Sequence, residues 1–229
     1  MLPLKKLKPS KHRIKLLDGR ELHFHSPDKD DYSVRLASLL PEHFDLDAIE
    51  VEIGCGKGEF IAQRAAVHTE RYFVGIDRRK DRFTLTEKKL HRQTTEKNWV
   101  LLQCDARRFL GEELPPIQVL HVYHPDPWPK AKHNKHRFFR SPDARAWAMA
   151  IVNGGQLRIS SDHREYFEEI LDIIESWQDF TLELVLRKEH YLGDAVTHFE
   201  KIFLNKREPV YKAYFKKRVP NPHGNGNGD

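Results

Sequence analysis

Three glycines are the first residues whose spacing suggests chemistry. Residues 51–58 read VEIGCGKG, so Gly54, Gly56 and Gly58 recur at every second position, between a predicted strand and a predicted helix. Bare backbone at such a turn can approach a ligand closely. A dinucleotide fingerprint would need its third glycine at position 59, which is Glu59, and no Gly-Lys-Ser/Thr sequence follows for a Walker loop. The spacing therefore disfavours both of these phosphate-binding turns.

Acids stand at the ends of the predicted strands around this turn. Glu52 lies two residues before the first glycine, Asp77 ends the second strand, and Asp105 follows the third. Acidic lining repels a pyrophosphate and attracts a cation, and S-adenosylmethionine carries both a sulfonium and an ammonium group. Asp77 is placed to take the ribose hydroxyls, and Asp105 to meet the adenine amino group. Each acid alone would be interpreted as a cap, whereas the ordered set predicts an S-adenosylmethionine site.

A long basic loop provides a second candidate site. Residues 123–138 read YHPDPWPKAKHNKHRF, and the prolines stiffen the backbone around Asp126 and Trp128. A carboxylate can accept hydrogen bonds from the N1–H and N2–H₂ edge of guanine, while Trp128 offers an aromatic face. His133 and His136 have no suitably spaced partner for a metal. We expect five basic side chains to grip nearby phosphates: Lys130, Lys132, Lys135, Arg137 and Arg140.

Alternating apolar and amphipathic runs predict the strands and helices that position these residues. Helical patterns follow the glycines and cover residues 79–94 and 163–177, and strands spaced by helices predict βαβ units and a parallel sheet. In such a sheet ligands bind at the carboxyl ends of the strands. Two later strand-like runs, 180–186 and 209–215, predict an antiparallel pair at the sheet edge. The five earlier runs are residues 48–53, 72–76, 99–103, 117–123 and 155–160.

The net charge of +5 is unevenly distributed along the 229 residues. Segments 1–24, 130–145 and 201–218 carry +5, +5 and +6, and the other 171 residues carry −11. Basic blocks on an acidic body are typical of a nucleic-acid-binding surface, although solvated loops would show the same pattern. No apolar run reaches the length of a membrane span, and two cysteines form no disulfide framework. We expect a reduced, cytoplasmic protein without a metal, a membrane anchor or an obligatory protein partner.

Taken together, these motifs make the chain resemble the tRNA (guanine-N7-)-methyltransferase family, of the bacterial single-chain kind, within the class I S-adenosylmethionine-dependent methyltransferases. The resemblance rests on the glycine segment, on the GID sequence at 75–77 and above all on PDPWPKAKHNKHR at 125–137. It continues in SDHREY at 161–166 and VTHFE at 196–200. It implies an α/β fold with a doubly wound, mostly parallel, seven-stranded Rossmann-like sheet and an antiparallel edge strand.

The resemblance also implies an activity and a set of roles. The family methylates N7 of the guanine at position 46 in the variable loop of tRNA, with Asp126 as the catalytic residue. The cofactor-binding positions are Glu52, Gly54, Gly56, Gly58, Asp77, Asp105 and Asp126. The substrate-binding positions are Lys130, Asp162, Thr197, His198, Phe199 and Glu200. The family usually has Glu at the position of Asp77, Lys at that of His198, and Arg-Gly after Glu200.

We therefore divide the chain into a basic N-terminal arm (residues 1–24), a methyltransferase domain (25–218) and a disordered tail (219–229). Two other functions stay open on the sequence alone. The enzyme could methylate another base or a protein, or the chain could be a non-catalytic tRNA-binding module with a degenerate pocket. An oxidoreductase is disfavoured because the third glycine of its fingerprint is absent.

Overall fold

The computed structural model describes residues 12–15, 21–24, 49–95, 98–108, 114–187 and 195–220, the first two ranges through their backbone alone. The strands are β1 (His12–Lys15), β2 (Glu21–Phe24), β3 (Ile49–Ile53), β4 (Tyr72–Ile76), β5 (Trp99–Gln103), β6 (Ile117–Tyr123), β7 (Ile151–Ser161), β8 (Phe180–Arg187) and β9 (Tyr211–Lys217). The helices are α1 (Glu59–Val67), α2 (Lys80–Gln93), α3 (Pro142–Met149), α4 (Arg164–Ser176) and α5 (His198–Lys206), with 3₁₀ helices at Ala106–Arg108, Ala131–His136 and Phe138–Arg140.

The described strands form one sheet in the order β2-β1-β5-β4-β3-β6-β7-β9-β8. The five strands β3 to β7 pair in parallel, and β9 pairs antiparallel with both β7 and β8. This confirms the predicted doubly wound, mostly parallel sheet of seven strands and the antiparallel pairing of the last two. The antiparallel strand itself, β9, lies one position inside the edge, because β8 takes the edge.

The opposite edge of the sheet carries two further strands. β1 and β2 pair antiparallel with each other, and β1 pairs antiparallel with β5. Both strands fall within residues 1–24, which we assigned to the basic arm. The rest of that segment and residues 221–229 of the predicted tail lie outside the described residues.

Both faces of the central strands are buried, which explains why these strands read as continuous apolar runs. In β4, Tyr72 and Val74 join the larger apolar core on one face, while Phe73 joins a smaller core on the other. Helices α3 and α4 close the larger core with Trp147, Tyr166 and Phe167, and α1 and α2 close the smaller one with Ile61, Phe83 and Leu90.

The sheet reverses its order at β3, which pairs with β4 on one side and β6 on the other. In open α/β sheets the crevice outside the carboxyl ends of the strands at such a point is where ligands bind. The glycine turn follows β3 and the long basic loop follows β6, so the topology brings both candidate sites to this crevice. Among the described helices, none combines the length and the apolar character that a membrane span requires.

Candidate active site

Two cavities open side by side in this crevice, with volumes of about 430 Å³ and 200 Å³. They share five lining residues: Gly54, Arg82, Tyr123, His124 and Phe199. The predicted site residues found only in the larger cavity are Asp77, Asp105 and Asp126, together with Trp128. Those found only in the smaller cavity are Glu52, Gly56, Thr197 and His198. The structure therefore brings most of the predicted site residues into one groove.

The glycine turn has the backbone conformation that its sequence predicts. Gly54, Gly56 and Gly58 have φ values of 78°, 58° and 71°, a region in which other residues are strained. The amides of Gly54 and Cys55 donate to the Ile76 carbonyl at 2.7 and 3.1 Å, which ties the turn to the end of β4. Gly54 and Gly56 line the cavities, whereas Gly58 packs against α2.

Glu52 places a buried carboxyl group in the smaller cavity. Its side chain is buried, and its Oε2 has no hydrogen-bond partner among the described residues. Burial and the nearby Asp77 carboxylate raise the pKa of Glu52 to about 8, against the effect of a hydrogen bond from the Ile61 amide. A cation bound here would supply the missing partner and stabilise the ionised form. The site thus fits the positively charged group that the sequence predicted.

Asp77 and Asp105 mark the ends of β4 and β5 in the larger cavity. Asp77 accepts hydrogen bonds from the Gly56 amide at 3.0 Å and the Arg79 amide at 2.8 Å, and burial raises its pKa. Asp105 accepts from the amide and guanidinium of Arg107. Although burial opposes the effect, these hydrogen bonds hold the pKa of Asp105 below its usual range. Asp105 is therefore ionised where we expected an adenine amino group.

Asp126 and Trp128 lie at the open side of the larger cavity. The side chain of Asp126 is 74% exposed, and its Oδ2 lies 3.9 Å from the nearest guanidinium nitrogen of Arg78. Trp128 has a φ of 43° and packs against His136 and His133, with ring centroids 5.2 and 5.8 Å away. A carboxylate and an aromatic ring are therefore held at a surface that a macromolecular substrate can reach.

The basic side chains of the loop fall into two groups, one exposed to solvent and one buried against the protein. Lys130, Lys132 and Lys135 are exposed around the 3₁₀ helix Ala131–His136. Arg137 is only 5% exposed, and its Nε donates to the Pro127 carbonyl at 2.7 Å. The prediction that Arg137 grips phosphate was wrong, because its side chain is used to hold the loop against the protein.

The predicted substrate residues after β7 and at the start of α5 make contacts within the protein. Thr197 and Glu200 form a reciprocal capping box at the start of α5, with N–O distances of 3.0 and 3.3 Å, and Glu200 also pairs with Lys212. This box presents His198 and Phe199 to the smaller cavity. Burial and the nearby Lys57 ammonium lower the pKa of His198. Asp162 pairs with His124 at 3.2 Å.

Sequence reasoning missed two residues that line both cavities, Tyr123 and His124. The Tyr123 hydroxyl lies 2.9 Å from Nδ1 of His121, whose Nε2 lies 2.9 Å from the buried Glu50. The available signal was a pair of polar aromatic residues at the end of an apolar strand, directly before the PDPW sequence. Within the described ranges, no group of three or more His, Cys, Asp or Glu side chains is arranged to hold a metal ion.

Sequence comparisons agree on the family. A family model described as a putative methyltransferase matches residues 47–213. The tRNA (guanine-N(7)-)-methyltransferase of Alkalilimnicola ehrlichii is 30% identical over 174 residues, which cover 73% of this chain and 72% of that protein. The enzyme of the same name from Thermotoga maritima is 34% identical over 155 residues, 67% of this chain, and the match spans about half (49%) of its length.

A comparison with solved structures supports the same fold. The antibiotic-resistance methyltransferase Kmr superposes with a TM-score of 0.55 over 91% of this chain and 100% of that chain, at 14% sequence identity. At this identity the likeness extends to the fold alone. The sequence relatives go further, and with the family model matching most of the chain they show that this protein belongs to the tRNA (guanine-N7-)-methyltransferase family.

Proposed function

We propose that this chain transfers a methyl group from S-adenosylmethionine to N7 of a guanine in tRNA, the guanine at position 46 of the variable loop. One observation carries the proposal: two adjoining cavities join a buried acidic end, at Glu52 and Asp77, to an exposed Asp126 and a half-buried Trp128. The first end suits a small cationic ligand and the second suits a base presented by a polyanion. The names of the sequence relatives support this assignment.

The groove offers partners for each part of the methyl donor. S-adenosylmethionine, when bound, supplies an electrophilic methyl group on sulfur. The described residues that would hold it are Glu52, Gly54, Gly56, Asp77 and Asp105. The unpartnered Oε2 of Glu52 is the observation that favours a cationic ligand. The turn also lets Gly54 and Gly56 approach a ligand without side chains in the way.

Asp126 and Trp128 would orient the guanine. Because N7 of guanine already has an in-plane lone pair, no general base is needed to create the nucleophile. Alignment of the reacting atoms can contribute roughly 7–11 kcal/mol in well-oriented reactions. The purine gains positive charge as the methyl group arrives, and the carboxylate of Asp126 would stabilise that charge. The exposure of Asp126 means that the bound tRNA itself must exclude water from this side of the groove.

The tRNA would approach over the rim of the groove. Lys130, Lys132 and Lys135 are exposed next to Trp128 in the chain and are free to contact phosphates. We assign the activity to residues 25–218, with substrate contacts from Lys130, Asp162 and the stretch 197–200, and expect it in the cytoplasm with its tRNA substrate.

In vitro methylation of an unmodified tRNA transcript tests the proposal. Mass spectrometry of nuclease digests should show 7-methylguanosine at position 46, and a transcript with adenine at that position should not be methylated. 7-Methylguanosine at another position would overturn the positional assignment alone. Another methylated nucleoside would overturn the base assignment. Tight tRNA binding with no methylation and no binding of S-adenosylmethionine would favour the non-catalytic binding module.

A further inference from the structure

His124 has a constrained conformation at the junction of the two cavities. It follows β6 with a φ of 48°, a left-handed value that costs a non-glycine residue energy, and its amide donates to the Ser160 carbonyl at 2.9 Å. Its side chain is only 3% exposed. The ring lies against Phe199 and Phe203, with centroids 5.7 and 5.5 Å away. The imidazole therefore has a defined orientation before any ligand binds.

Asp162 determines which nitrogen of this ring carries the proton. Nδ1 of His124 lies 3.2 Å from Oδ1 of Asp162. The hydrogen bond from His124 holds the pKa of Asp162 below its usual range, so Asp162 is an ionised acceptor. Nδ1 must then donate, and in the tautomer with a single ring proton this leaves a lone pair on Nε2. Nε2 is buried and has no partner among the described residues.

A second buried acceptor without a partner lines the smaller cavity. Glu52 and His124 both line this space of about 200 Å³, and Oε2 of Glu52 is buried without a partner among the described residues. Leaving a buried acceptor unpaired is costly, so a ligand that satisfies both gains binding energy. A primary ammonium group offers three N–H donors and a positive charge. Lys57 lines the same cavity and can complement the carboxylate of an α-amino acid.

We propose that Nε2 of His124, together with Glu52, accepts a hydrogen bond from the α-ammonium group of S-adenosylmethionine. Asp162 is then a positioning residue that fixes the His124 tautomer, and the smaller cavity is the subsite for the amino acid end of the methyl donor. This inference rests on the proposed function, because it takes the methyl donor as the ligand of the groove.

Ligands that differ at the amino acid end test the proposal by isothermal titration calorimetry on the full chain. S-adenosylmethionine and S-adenosylhomocysteine carry the α-ammonium group, and 5′-methylthioadenosine lacks it. His124→Phe keeps a ring but removes the acceptor, and it should weaken both ammonium ligands about ten-fold while changing 5′-methylthioadenosine less than about two-fold. His91→Phe, on the exposed side of α2, makes the same chemical change away from both cavities and should leave all three affinities unchanged.

Two results would overturn this role of His124: unchanged affinity for S-adenosylhomocysteine in His124→Phe, or equal weakening of all three ligands. If that variant does not fold, ¹⁵N-histidine NMR of the wild-type chain gives an independent readout. The Nε2 resonance of His124 should move with S-adenosylhomocysteine and stay in place with 5′-methylthioadenosine, and the reverse pattern would contradict the proposal. A wild-type chain that binds neither ammonium ligand would instead contradict the proposed function, and this inference with it.

Discussion

Arg137 of the basic loop pairs with Glu169 of α4 and thereby clamps the loop to the body of the domain. The same guanidinium donates to the carbonyl of Pro127 at 2.7 Å and lies 4.7 Å from the centroid of the Tyr166 ring. Pro127 stands between Asp126 and Trp128 in the chain. The buried cation therefore sets the backbone that presents both of these side chains to the groove.

Loss of this clamp should destabilise the protein. We expect Arg137→Ala to lower the free energy of unfolding by roughly 3 kcal/mol, since it removes one partner of a largely buried ion pair. Arg140→Ala is the matched control, because Arg140 pairs with the same Glu169 but is 44% exposed, and it should cost less than about 1 kcal/mol. Urea unfolding of the two variants measures the difference. Equal losses would mean that the buried Arg137–Glu169 pair contributes no more to stability than the exposed Arg140–Glu169 pair.

The exposed lysines of the loop should contribute to tRNA affinity rather than to the stability of the protein. Replacing Lys130, Lys132 and Lys135 by Ala should weaken tRNA binding and reduce the slope of log K against log salt by about 2 to 3, because each phosphate contact contributes roughly 0.7–0.9. Fluorescence anisotropy with labelled tRNA at several KCl concentrations measures the slope. The affinity of this variant for S-adenosylmethionine, which needs none of the three lysines, should be unchanged. Parallel salt plots for variant and wild type would remove these lysines from the tRNA interface.

The central strands of the fold could be predicted because the signal for each strand lies within its own stretch of sequence. The bounds of β4, β5 and β6 agree with the apolar runs in the sequence, since these strands are buried on both faces and polar residues flank them. Helix α5 was missed, although Thr197 and Glu200 have the spacing of a capping box. Its apolar face is short, so the interval read as a polar stretch. Helix α3, which follows the basic loop, was also missed.

The candidate site was predictable only where chain order determines position. Acids at the carboxyl ends of parallel strands must meet at one edge of the sheet, so the sequence could predict where Glu52, Asp77 and Asp105 lie. Contacts between distant segments carry no such signal. The burial of Arg137 depends on Glu169, and the orientation of His124 depends on Asp162, in each case a residue more than thirty positions further along the chain.

Gly58 lies where a side chain has no room. A Cβ on this residue would approach Cγ2 of Thr86 to 2.5 Å, and its φ of 71° would strain any other residue. We expect Gly58→Ala to lower the free energy of unfolding by roughly 2–4 kcal/mol, with contributions from backbone strain and from overpacking. Gly54→Ala has the same sign of φ but no atom within 4 Å of the new Cβ.

The comparison of these two glycine variants isolates the steric effect. Gly54→Ala should cost about 1–2 kcal/mol, from strain alone. Thr86→Ser removes the methyl group that the new Cβ would meet first and should recover part of the loss in Gly58→Ala, as measured by thermal or urea unfolding. Two glycine variants of equal stability would mean that α2 moves away at no cost.

Binding of S-adenosylmethionine should release a proton from Glu52. Because burial and Asp77 raise the pKa of Glu52 to about 8, the carboxyl is largely protonated at pH 7 without a ligand, and a bound cation favours its ionised form. The affinity for S-adenosylmethionine should therefore increase with pH up to about 8. Calorimetry in phosphate and Tris buffers should give different enthalpies, as expected for proton release, and Glu52→Gln should abolish the difference. Cys55 faces the same carboxylates, and burial raises the pKa of its thiol too, so Cys55→Ala is the control for a thiol proton.

The same pKa gives the unliganded protein a defined pH dependence. Between the ordinary value of 4.5 and about 8, the folded chain holds the proton of Glu52 more tightly than the unfolded chain does. This contribution to stability is complete below pH 4.5 and is lost as the pH increases through 8. The stability difference between wild type and Glu52→Gln should therefore shift in favour of the glutamine variant at high pH. A difference that is constant from pH 5 to 9 would contradict the raised pKa.

Substitution of Asp126 should slow methyl transfer much more than it weakens binding of the methyl donor. Asp126→Ala should lower the single-turnover rate of methyl transfer by about 100-fold or more, because it removes a charge placed where the purine becomes positive. Binding of S-adenosylmethionine should remain measurable by calorimetry, since Glu52 and Asp77 keep their buried positions at the other end of the groove. Asp126→Asn keeps a carbonyl acceptor for the guanine edge but loses the charge. If the charge is what matters, the asparagine variant should be nearly as slow as the alanine variant. An asparagine variant close to wild type would show that Asp126 only orients the base, and wild-type rates in both variants would remove Asp126 from the reaction.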